Sequence, residues 1–381
     1  MPRKIAVLFG GSSPEHDVSV VTAQQVMDAV DPADYDIVPV YADFENRFLV
    51  GPRLRDVSTY RPKPSGTAEI GFGWGERGAE IRPVSGAPIP IDCAMPVFHG
   101  LYGEDGRVHG LLEWLGIPVT GFSATHSALA MRKDLTKTIA ADVGVPVLPH
   151  VTADRNKLRN AKAFVAEVRE RNIGFPAIVK PVNLGSSIGV GIAHDEDELV
   201  QLCAGVLTKD SLVMVEPRVP HLVEYNVALR NDAGTIRLSA IERPKPSTEL
   251  LDFKEKYLSG GGGAKGSSLP SQGMLSLTRD INPELDEARR EAVTRNAVKV
   301  FRAFGSRGAP RLDFLCNNET GEIWFNEINP IPGSYGYFLW ERAERPLLFP
   351  ELVAHLVEEA LATSLKPFDD PVPQGAWLLP R

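Results

Sequence analysis

The chain has few cysteines, no excess of basic residues and no long apolar run, and each absence excludes a class of protein. Its three cysteines, Cys93, Cys203 and Cys316, lie far apart, without the spacing of a metal site. This pattern is typical of reduced thiols in a cytoplasm and argues against a small scaffold held together by disulfides. We therefore expect a cytoplasmic protein.

The charge balance argues against two kinds of partner. The formal net charge is -8, and no basic cluster interrupts the sequence. Nucleic acids and anionic membranes attract basic surfaces, so we expect neither as a partner. The N-terminus MPRKIAVLFGG contains one apolar stretch that is too short for a signal-peptide core or a membrane span.

What the chain does have is enough apolar sequence for several domains. It contains 381 residues, of which 43% are hydrophobic, and this length predicts two or three domains. Strand and helix patterns alternate up to about residue 122, which predicts a first α/β domain over residues 1–122 with a buried parallel sheet. Residues 45–90 lack a clear period and are interpreted as loops and a hairpin. We expect two smaller α+β lobes over residues 123–219 and 220–381.

The most informative segment is GAPRLDFLCNNETGEIWFNEINPIPGS near the C-terminus. It predicts two strands joined by a turn at residues 317–321, with Arg311 and Asp313 on the first strand and Glu327 and Asn329 on the second. Side chains two residues apart on a strand share a face, so one cation and three oxygen ligands converge. Two carboxylates and an amide suit Mg²⁺. A surface hairpin with solvated charges remains the alternative.

A second segment, AIVKPVNLGSSIGVG, has the composition of a phosphate-binding loop. Lys180 ends a predicted strand, and residues 183–189 form a small loop whose backbone N–H groups could surround a phosphate. The Walker spacing is absent, and an ordinary tight turn is the alternative. Lys133 and Glu216 lie nearby in the predicted central lobe. Together with the hairpin, these residues predict a nucleotide held between two lobes.

The whole chain, from about residue 4 to residue 362, resembles the D-alanine–D-alanine ligase family of the ATP-grasp superfamily. The resemblance rests on seven motifs in the order of the family: VLFGGSSPEHDVS, PVFHGLYGEDGRVHGLLEWLGIPVTG, SALAMRK, IVKPVNLGSSIGVG, EKYLS, RLDF and NEINPIPGS. It implies a three-lobed α/β ATP-grasp fold in which two lobes clamp ATP. It also implies a homodimer that acts on small amino-acid substrates.

The resemblance assigns a role to each matching residue. It implies that two Mg²⁺ ions, with Mn²⁺ as an alternative, are held by Asp313, Glu327 and Asn329. The nucleotide contacts it implies are Lys133, Lys180, Ser186, Ser187, Glu216, Val219, Glu224 and Lys256. The catalytic residues it implies are Glu15, Ser186, Tyr257, Arg311 and the backbone N–H of Gly333. The substrate contacts it implies are Glu15, His99, Lys256, Tyr335, Phe338 and Leu339.

Two of these residues also have a plain structural interpretation. Glu15 could instead interact with the dipole of the helix that follows it, and His99 could be a hydrogen-bonded histidine at the end of a strand. The motifs around them favour the functional interpretation. Glu15 would then bind the ammonium group of the first amino acid, and His99 would line that pocket.

The implied chemistry is the activation of a carboxylate by ATP. The carboxylate attacks the γ-phosphate to give an acyl phosphate, and an amine then displaces phosphate to leave an amide. Water must be excluded from the acyl phosphate, and the glycine-rich stretch KEKYLSGGGGAKGSSLPS, which contains Lys256 and Tyr257, is a candidate lid. A disordered surface loop is the alternative interpretation of that stretch.

The sequence departs from the family where the second substrate should bind. Tyr335 and Phe338 stand at the positions of a Thr and of a Ser that contacts the acceptor carboxylate, and Leu251, Phe253 and Glu255 replace other usual residues. Either another group, such as Lys256 or a backbone N–H, meets that carboxylate, or the acceptor is not D-alanine. Because Tyr257 is retained, we favour an amine acceptor over a hydroxyl.

Two other classes of protein fit less well. A dinucleotide-binding oxidoreductase would need G-x-G-x-x-G at the first helix, and GGSSPEHD fails that spacing. A catalytically idle nucleotide-binding module should have lost part of the metal set or Arg311, and all of them are present.

Overall fold

The computed structural model describes residues 2–60, 64–76, 78–245 and 279–363. These residues form three sheets, each with helices packed against it. Within the described ranges, no helix combines the length and the apolar character that a membrane crossing requires.

The first sheet has seven strands in the order β6-β5-β4-β3-β2-β1-β7. Its strands are β1 (Arg3–Gly10), β2 (Tyr35–Ala42), β3 (Phe48–Val50), β4 (Ala68–Gly75), β5 (Gly78–Pro83), β6 (Ile89–Pro90) and β7 (Cys93–Pro96). As predicted, the apolar strand β1 is parallel to β2 and β7. Residues 45–90 contribute more than loops and a hairpin, because β3 to β6 extend the sheet by antiparallel pairing. The sheet is therefore mixed.

Glycines and two helices set the end of this sheet at which the site lies. Gly10 closes β1 at a φ of +96°, and a Cβ there would lie 2.4 Å from the carbonyl oxygen of Ala42, so only glycine allows this approach. Helix α1 (His16–Ala29) follows the glycine turn, and α2 (Arg107–Trp114) follows the connection after β7. A 3₁₀ helix spans Val57–Tyr60.

The second sheet is small and antiparallel, in the order β10-β9-β11-β8. It is reached through α3 (Ala124–Met131) and α4 (Lys133–Asp142). Its strands are β8 (Val151–Ala153), β9 (Ala177–Pro181), β10 (Gly191–Ala193) and β11 (Val213–Pro217), and its helices are α5 (Arg155–Leu158), α6 (Ala161–Glu170) and α7 (Glu196–Val206). Side chains at both long helix starts, Asn160 and Asp195, accept backbone N–H bonds and so fix where α6 and α7 begin.

The third sheet carries the predicted hairpin. Its strands are β12 (Leu222–Asp232), β13 (Thr235–Leu238), β14 (Glu242–Pro244), β15 (Arg279–Ile281), β16 (Arg311–Asn317) and β17 (Ile323–Asn329). The order is β15-β14-β12-β16-β17, with β13 paired to β12. Helix α8 (Glu287–Ala303) buries Val293, Val300 and Phe301 against it, and α3 and α4 pack on the same core through Ala130 and Ala140.

The last described helices return to the first sheet. After β17 come a 3₁₀ turn over Gly333–Gly336, α9 (Tyr337–Trp340) and α10 (Phe349–Thr363). Trp340, Leu352 and Leu356 are at most 1% exposed and share a core with Ile5 and Phe9 of β1. The chain therefore ties the third sheet to the first immediately after the hairpin.

Candidate active site

The predicted hairpin is present, and its register brings the four polar residues together. Asp313 lies directly opposite Glu327, and Arg311 lies opposite Asn329. The turn closes through a 2.8 Å bond from the N–H of Gly321 to the carbonyl of Asn317. Because period-two alternation and the turn are both local properties, this geometry follows from the sequence.

Asp313 is the most enclosed carboxylate of the hairpin, with 8% of the residue exposed. The guanidinium of Arg311 donates to both of its oxygens, at 2.7 and 2.8 Å, and Nδ2 of Asn329 donates to Oδ2 at 3.0 Å. Burial raises the pKa of Asp313 in spite of Arg311, and the neighbouring Glu327 adds to the increase. A further cation beside Asp313 would favour its charged form.

Glu327 is linked to the second sheet through lysines. Nζ of Lys133 lies 3.3 Å from Oε2 of Glu327 and donates to the carbonyl of Leu184 at 2.7 Å. Burial alone would raise the pKa of Glu327, but the ammonium groups of Lys133 and Lys180 outweigh it and lower the pKa. Lys133 therefore connects the hairpin to the glycine-rich loop.

Glu216 lies between two ammonium groups. Nζ of Lys180 is 2.5 Å from Oε2 of Glu216 and donates to Asn326 at 3.0 Å, while Nζ of Lys137 is 2.7 Å from Oε1 of Glu216. Burial opposes ionisation of Glu216, but the two lysines hold its pKa at about 2. Lys137, which no sequence motif indicated, is fully buried, and burial lowers its pKa to about 8. Its only signal was its place one helical turn after Lys133.

The glycine-rich loop between β9 and β10 reaches across to the first sheet. Ser186 and Ser187 have φ values of 52° and 59°, a region that residues other than glycine seldom occupy. The hydroxyl of Ser186 donates to Oε1 of Glu15. At its start, the loop is held by Asp210, which accepts the backbone and side-chain N–H groups of Asn183 at 2.7 Å each.

Glu15 and His99 lie together at the end of the first sheet. Both are buried, at 8% and 5% exposure. Nε2 of His99 is 3.0 Å from the hydroxyl of Thr22, and burial lowers the pKa of His99 to about 4, so the ring is neutral near pH 7. Glu15 precedes α1 but makes no side-chain cap bond to it.

Glu104 is a further buried acid, and it was not among the predicted site residues. Its carboxylate accepts the backbone N–H of Gly100 at 2.9 Å and that of Ile331 at 3.1 Å. Burial, and then the charge of Glu15, raise its pKa to about 8. Glu104 joins the loop after β7 to the segment after β17. An acid within the glycine-rich stretch HGLYGEDG was the available signal.

The turn that begins at Gly333 docks on α1. The N–H of Ser334 donates to the hydroxyl of Thr22 at 3.2 Å. Tyr335 is 2% exposed and donates to the carbonyl of Pro96, and Leu339 is fully buried. The side chains of Tyr335 and Leu339 therefore pack in the core, and their contact with a substrate stays a prediction. Phe338 is half-buried and lies against Arg279.

The remaining predicted residues are more dispersed. Val219 is buried after β11, and Glu224 is exposed near the start of β12. Lys256, Tyr257 and the rest of the candidate lid lie outside the described residues. In the described ranges, no group of three or more His, Cys, Asp or Glu side chains could hold a metal. The donor set of two carboxylates and an amide still fits a hard divalent cation, because its two acids lie side by side.

Two family models match the chain: a D-ala D-ala ligase N-terminus over residues 4–122 and a D-ala D-ala ligase C-terminus over residues 139–358. A D-alanine–D-alanine ligase from Chlorobium luteolum is 33% identical over 377 residues, covering 94% of this chain and 96% of the relative. A D-alanine–D-alanine ligase from Geobacillus kaustophilus is 30% identical over 370 residues, covering 95% of each chain.

Solved structures give the same result. A D-alanine–D-alanine ligase from Coxiella burnetii matches with a TM-score of 0.77 and 25% identity, over 95% of this chain and 94% of that one. A D-Ala:D-Ser ligase from Enterococcus faecalis matches with a TM-score of 0.74 and 25% identity, over 94% of this chain and 100% of that one. The predicted α/β ATP-grasp fold class is confirmed, and the chain belongs to the D-alanine–D-alanine ligase family.

Proposed function

We propose that the protein joins two molecules of D-alanine into D-alanyl-D-alanine at the expense of ATP. The observation that carries the proposal is the pairing of Asp313 with Glu327 beside Arg311, with Lys133 reaching them from α4. Oxygen ligands for a cation and fixed positive charges for phosphate thus lie at one place. Phosphoryl transfer depends on this combination. The product is a building block of the cell wall, in keeping with the family.

Each group has a place in this proposal. Asp313, Glu327 and Asn329 would hold Mg²⁺, which when bound neutralises the charge on the β- and γ-phosphates. Lys133, Lys180, Ser186 and Ser187 are assigned to the phosphates. Glu216, Val219 and Glu224 are assigned to the adenosine end of ATP. The three-lobed division at residues 122 and 219 belongs to the proposal as well, and each sheet falls within one of its segments.

The reaction then follows from the charges. A carboxylate oxygen of the first D-alanine attacks the γ-phosphorus, and the bond to the ADP oxygen breaks. Glu15 holds the ammonium group of that D-alanine, oriented by the hydroxyl of Ser186. The amine of the second D-alanine attacks the acyl carbon, phosphate leaves with the electrons of the broken C–O bond, and the nitrogen gives up one proton. Arg311 and the N–H of Gly333 stabilise the oxyanion that forms in between.

A second candidate function differs only in the acceptor. Phe338 stands in place of a carboxylate-binding hydroxyl. The acceptor could therefore be an amine or amino acid other than D-alanine, such as the D-serine named for the Enterococcus faecalis ligase. The chemistry of activation is the same in both cases.

The test is a product analysis with Mg-ATP and a panel of D- and L-amino acids, hydroxy acids and amines. We expect one ADP, one phosphate and one D-alanyl-D-alanine per turnover, identified by mass spectrometry. A clear preference for another acceptor would favour the second candidate. If the addition of amino acids causes no release of ADP, both candidate functions are contradicted. The same preparation, examined by light scattering, tests the expected homodimer, and we place the reaction in the cytoplasm, where ATP is available.

A further inference from the structure

Arg279 occupies an unusual position for a surface strand residue. It lies on β15, with its guanidinium carbon 4.7 Å from the centre of the Phe338 ring. Its Nη1 atom is 2.9 Å from Oε1 of Glu242. The Glu242 side chain is 4% exposed and the Arg279 side chain is 23% exposed, so the arginine is the more accessible of the two. A planar cation that is stacked on a ring and held by a buried carboxylate is fixed in orientation.

The sheet register places this cation on the same face as the hairpin carboxylates. Ile281 pairs with Glu242, Glu242 with Asn226, Asn226 with Asp313, and Asp313 with Glu327. Residues two apart share a face, so Arg279 lies on the face of Ile281. Arg279 therefore lies on the same face of the third sheet as a polar row formed by Glu242, Asn226, Asp313 and Glu327.

The middle of this row has unfilled hydrogen-bonding capacity. Asn226 is 5% exposed, and its Nδ2 atom donates to Oε2 of Glu242 at 3.4 Å. Its Oδ1 atom is buried and has no hydrogen-bond partner among the residues that the structure describes. A buried polar atom without a partner is costly and points to a ligand or water that completes it.

The distances suit the product of the proposed reaction. Two strand spacings, roughly 10 Å, separate Glu242 from Asp313 along the row. An extended dipeptide spans about 7 Å. A dipeptide made beside Asp313 would extend to within roughly 3 Å of Glu242, where the Arg279 side chain, held 2.9 Å from Glu242, can meet its C-terminal carboxylate.

We propose that Arg279 binds the α-carboxylate of the second amino acid, with Phe338 as the surface on which the guanidinium lies and Glu242 as the group that orients it. The proposal rests on the proposed function, because only an amino-acid acceptor brings a carboxylate to this place. Guanidinium and carboxylate form paired, charge-assisted hydrogen bonds. Arg279 thereby makes the site specific for acceptors that carry a carboxylate, without a hydroxyl at position 338.

The position of Phe338 supports this assignment. It follows the turn at Gly333 by five residues, within α9, and the carbonyl of Leu339 beside it accepts the N–H of Ala240 at 3.0 Å. This bond fixes α9 against the segment that leads into β14. Arg279, Glu242 and Phe338 are thus held by one local framework at the acceptor end of the row.

The test is an internal competition between two acceptors that differ only in the carboxylate. Enzyme, Mg-ATP and a mixture of D-alanine and D-alaninamide give two products, and their ratio measures the relative kcat/KM of the acceptors. In the Arg279→Met variant, which keeps the apolar stem over Phe338, we expect the preference for D-alanine to fall about ten- to a hundred-fold. The preference of the Arg279→Lys variant for D-alanine should lie between that of Arg279→Met and that of the wild type.

The matched control is Arg243→Met. Arg243 is one residue from Glu242 and pairs with Asp280 of β15 at 2.8 Å, so it presents the same kind of ion pair on the opposite face of the same strands. Its product ratio should equal that of the wild type. An Arg279→Met ratio equal to that of the wild type would overturn the inference, as would equal losses with both acceptors.

The two failures are distinguishable. If the wild type makes no D-alanyl-D-alanine at all, the proposed function fails and takes the inference with it. If the wild type makes this dipeptide and the Arg279 variants give the same product ratio as the wild type, the inference alone fails. Should Arg279→Met not fold, as judged by a thermal scan, the ratio for Arg279→Lys decides: a lowered ratio supports the inference, and an unchanged ratio overturns it.

Discussion

At the scale of single residues, every buried acid of the hairpin and the nucleotide side has a cation against it. Asp313 faces Arg311, Glu327 faces Lys133, and Glu216 faces Lys137 and Lys180. Buried charges are tolerated only when they are paired, and each of these contacts favours the ionised form of its acid. A nucleotide phosphate could replace a carboxylate as the partner of a lysine, and a divalent cation could replace a lysine or arginine as the partner of a carboxylate.

The residue that tests this arrangement is Glu327. Glu327→Gln keeps the shape of the side chain but removes the charge that would bind a cation together with Asp313, so ADP formation should fall by orders of magnitude. The thermal midpoint should change little, because the amide oxygen of glutamine can still accept from Lys133, which lies 3.3 Å from Glu327.

Glu322→Gln is the control for Glu327→Gln. Glu322 lies at the turn of the same hairpin, where it accepts from the hydroxyl of Thr320 at 2.9 Å, away from the lysines. Its activity should match that of the wild type. Near-normal turnover of Glu327→Gln at saturating Mg²⁺ would remove Glu327 from the metal site.

At the scale of structural elements, what the sequence could predict was local. The hairpin was predictable because the alternation of side chains and the turn at residues 317–321 lie within one segment. Contacts that join distant elements were not predictable, because no period in the sequence specifies them. The contacts of Glu104 with Ile331 and of Arg279 with Phe338 are examples, since their partners lie 227 and 59 positions away.

The glycine-rich loop allows a test at this scale. A Cβ on Gly185 would lie 3.2 and 3.3 Å from the two carboxylate oxygens of Glu15. Gly185→Ala should therefore displace either the loop or Glu15 and lower kcat/KM for the first D-alanine by about ten- to a hundred-fold. Because the contact is with a side-chain end, the fold should remain stable.

Gly174→Ala provides the comparison for Gly185→Ala. Gly174 lies shortly before β9 of the same sheet, and no described atom lies within 4 Å of a Cβ there. In steady-state kinetics with the acceptor site saturated, the kcat/KM of this variant for the first D-alanine should equal that of the wild type. Equal kinetic constants for both variants would show that the loop does not position Glu15.

At the scale of the whole molecule, the C-terminal part of the described chain holds the first sheet and the hairpin together. Helix α10 completes the core of the first sheet, although more than 300 positions separate it from β1. The sequence predicted one lobe over residues 220–381. Its pattern shows that a helix is amphipathic but not which sheet the helix covers, so the packing of α10 on the first sheet was not predictable. Glu359 on α10 also accepts the N–H of Gly308, just before β16, at 2.7 Å.

Glu359 makes this connection sensitive to pH. Burial raises its pKa to about 7, against the hydrogen bond from Gly308. The folded protein therefore keeps a proton that the unfolded chain has lost, so stability falls as pH rises from about 4.5 to 7 and then levels off. Glu359→Gln keeps an acceptor for Gly308 but cannot titrate. The loss of unfolding free energy between about pH 5 and pH 8 should shrink by up to about 3 kcal/mol.

Urea unfolding at both pH values measures this difference, and Glu358→Gln serves as its control. Glu358 is the neighbouring residue on α10, and it is exposed, with a partner in Arg3. Its variant should follow the pH dependence of the wild type. A Glu359→Gln variant that shows the full wild-type dependence would mean that other groups produce it.

The central claim is that the carboxylate of the first D-alanine is activated by direct transfer of the γ-phosphoryl group. The most direct measurement uses D-alanine labelled with a heavy oxygen isotope in its carboxylate and follows the label by mass spectrometry. Because the attacking oxygen stays on phosphorus when the amine displaces phosphate, we predict one labelled oxygen in the released phosphate for each dipeptide formed. Phosphate free of label, with dipeptide still produced, would contradict the account.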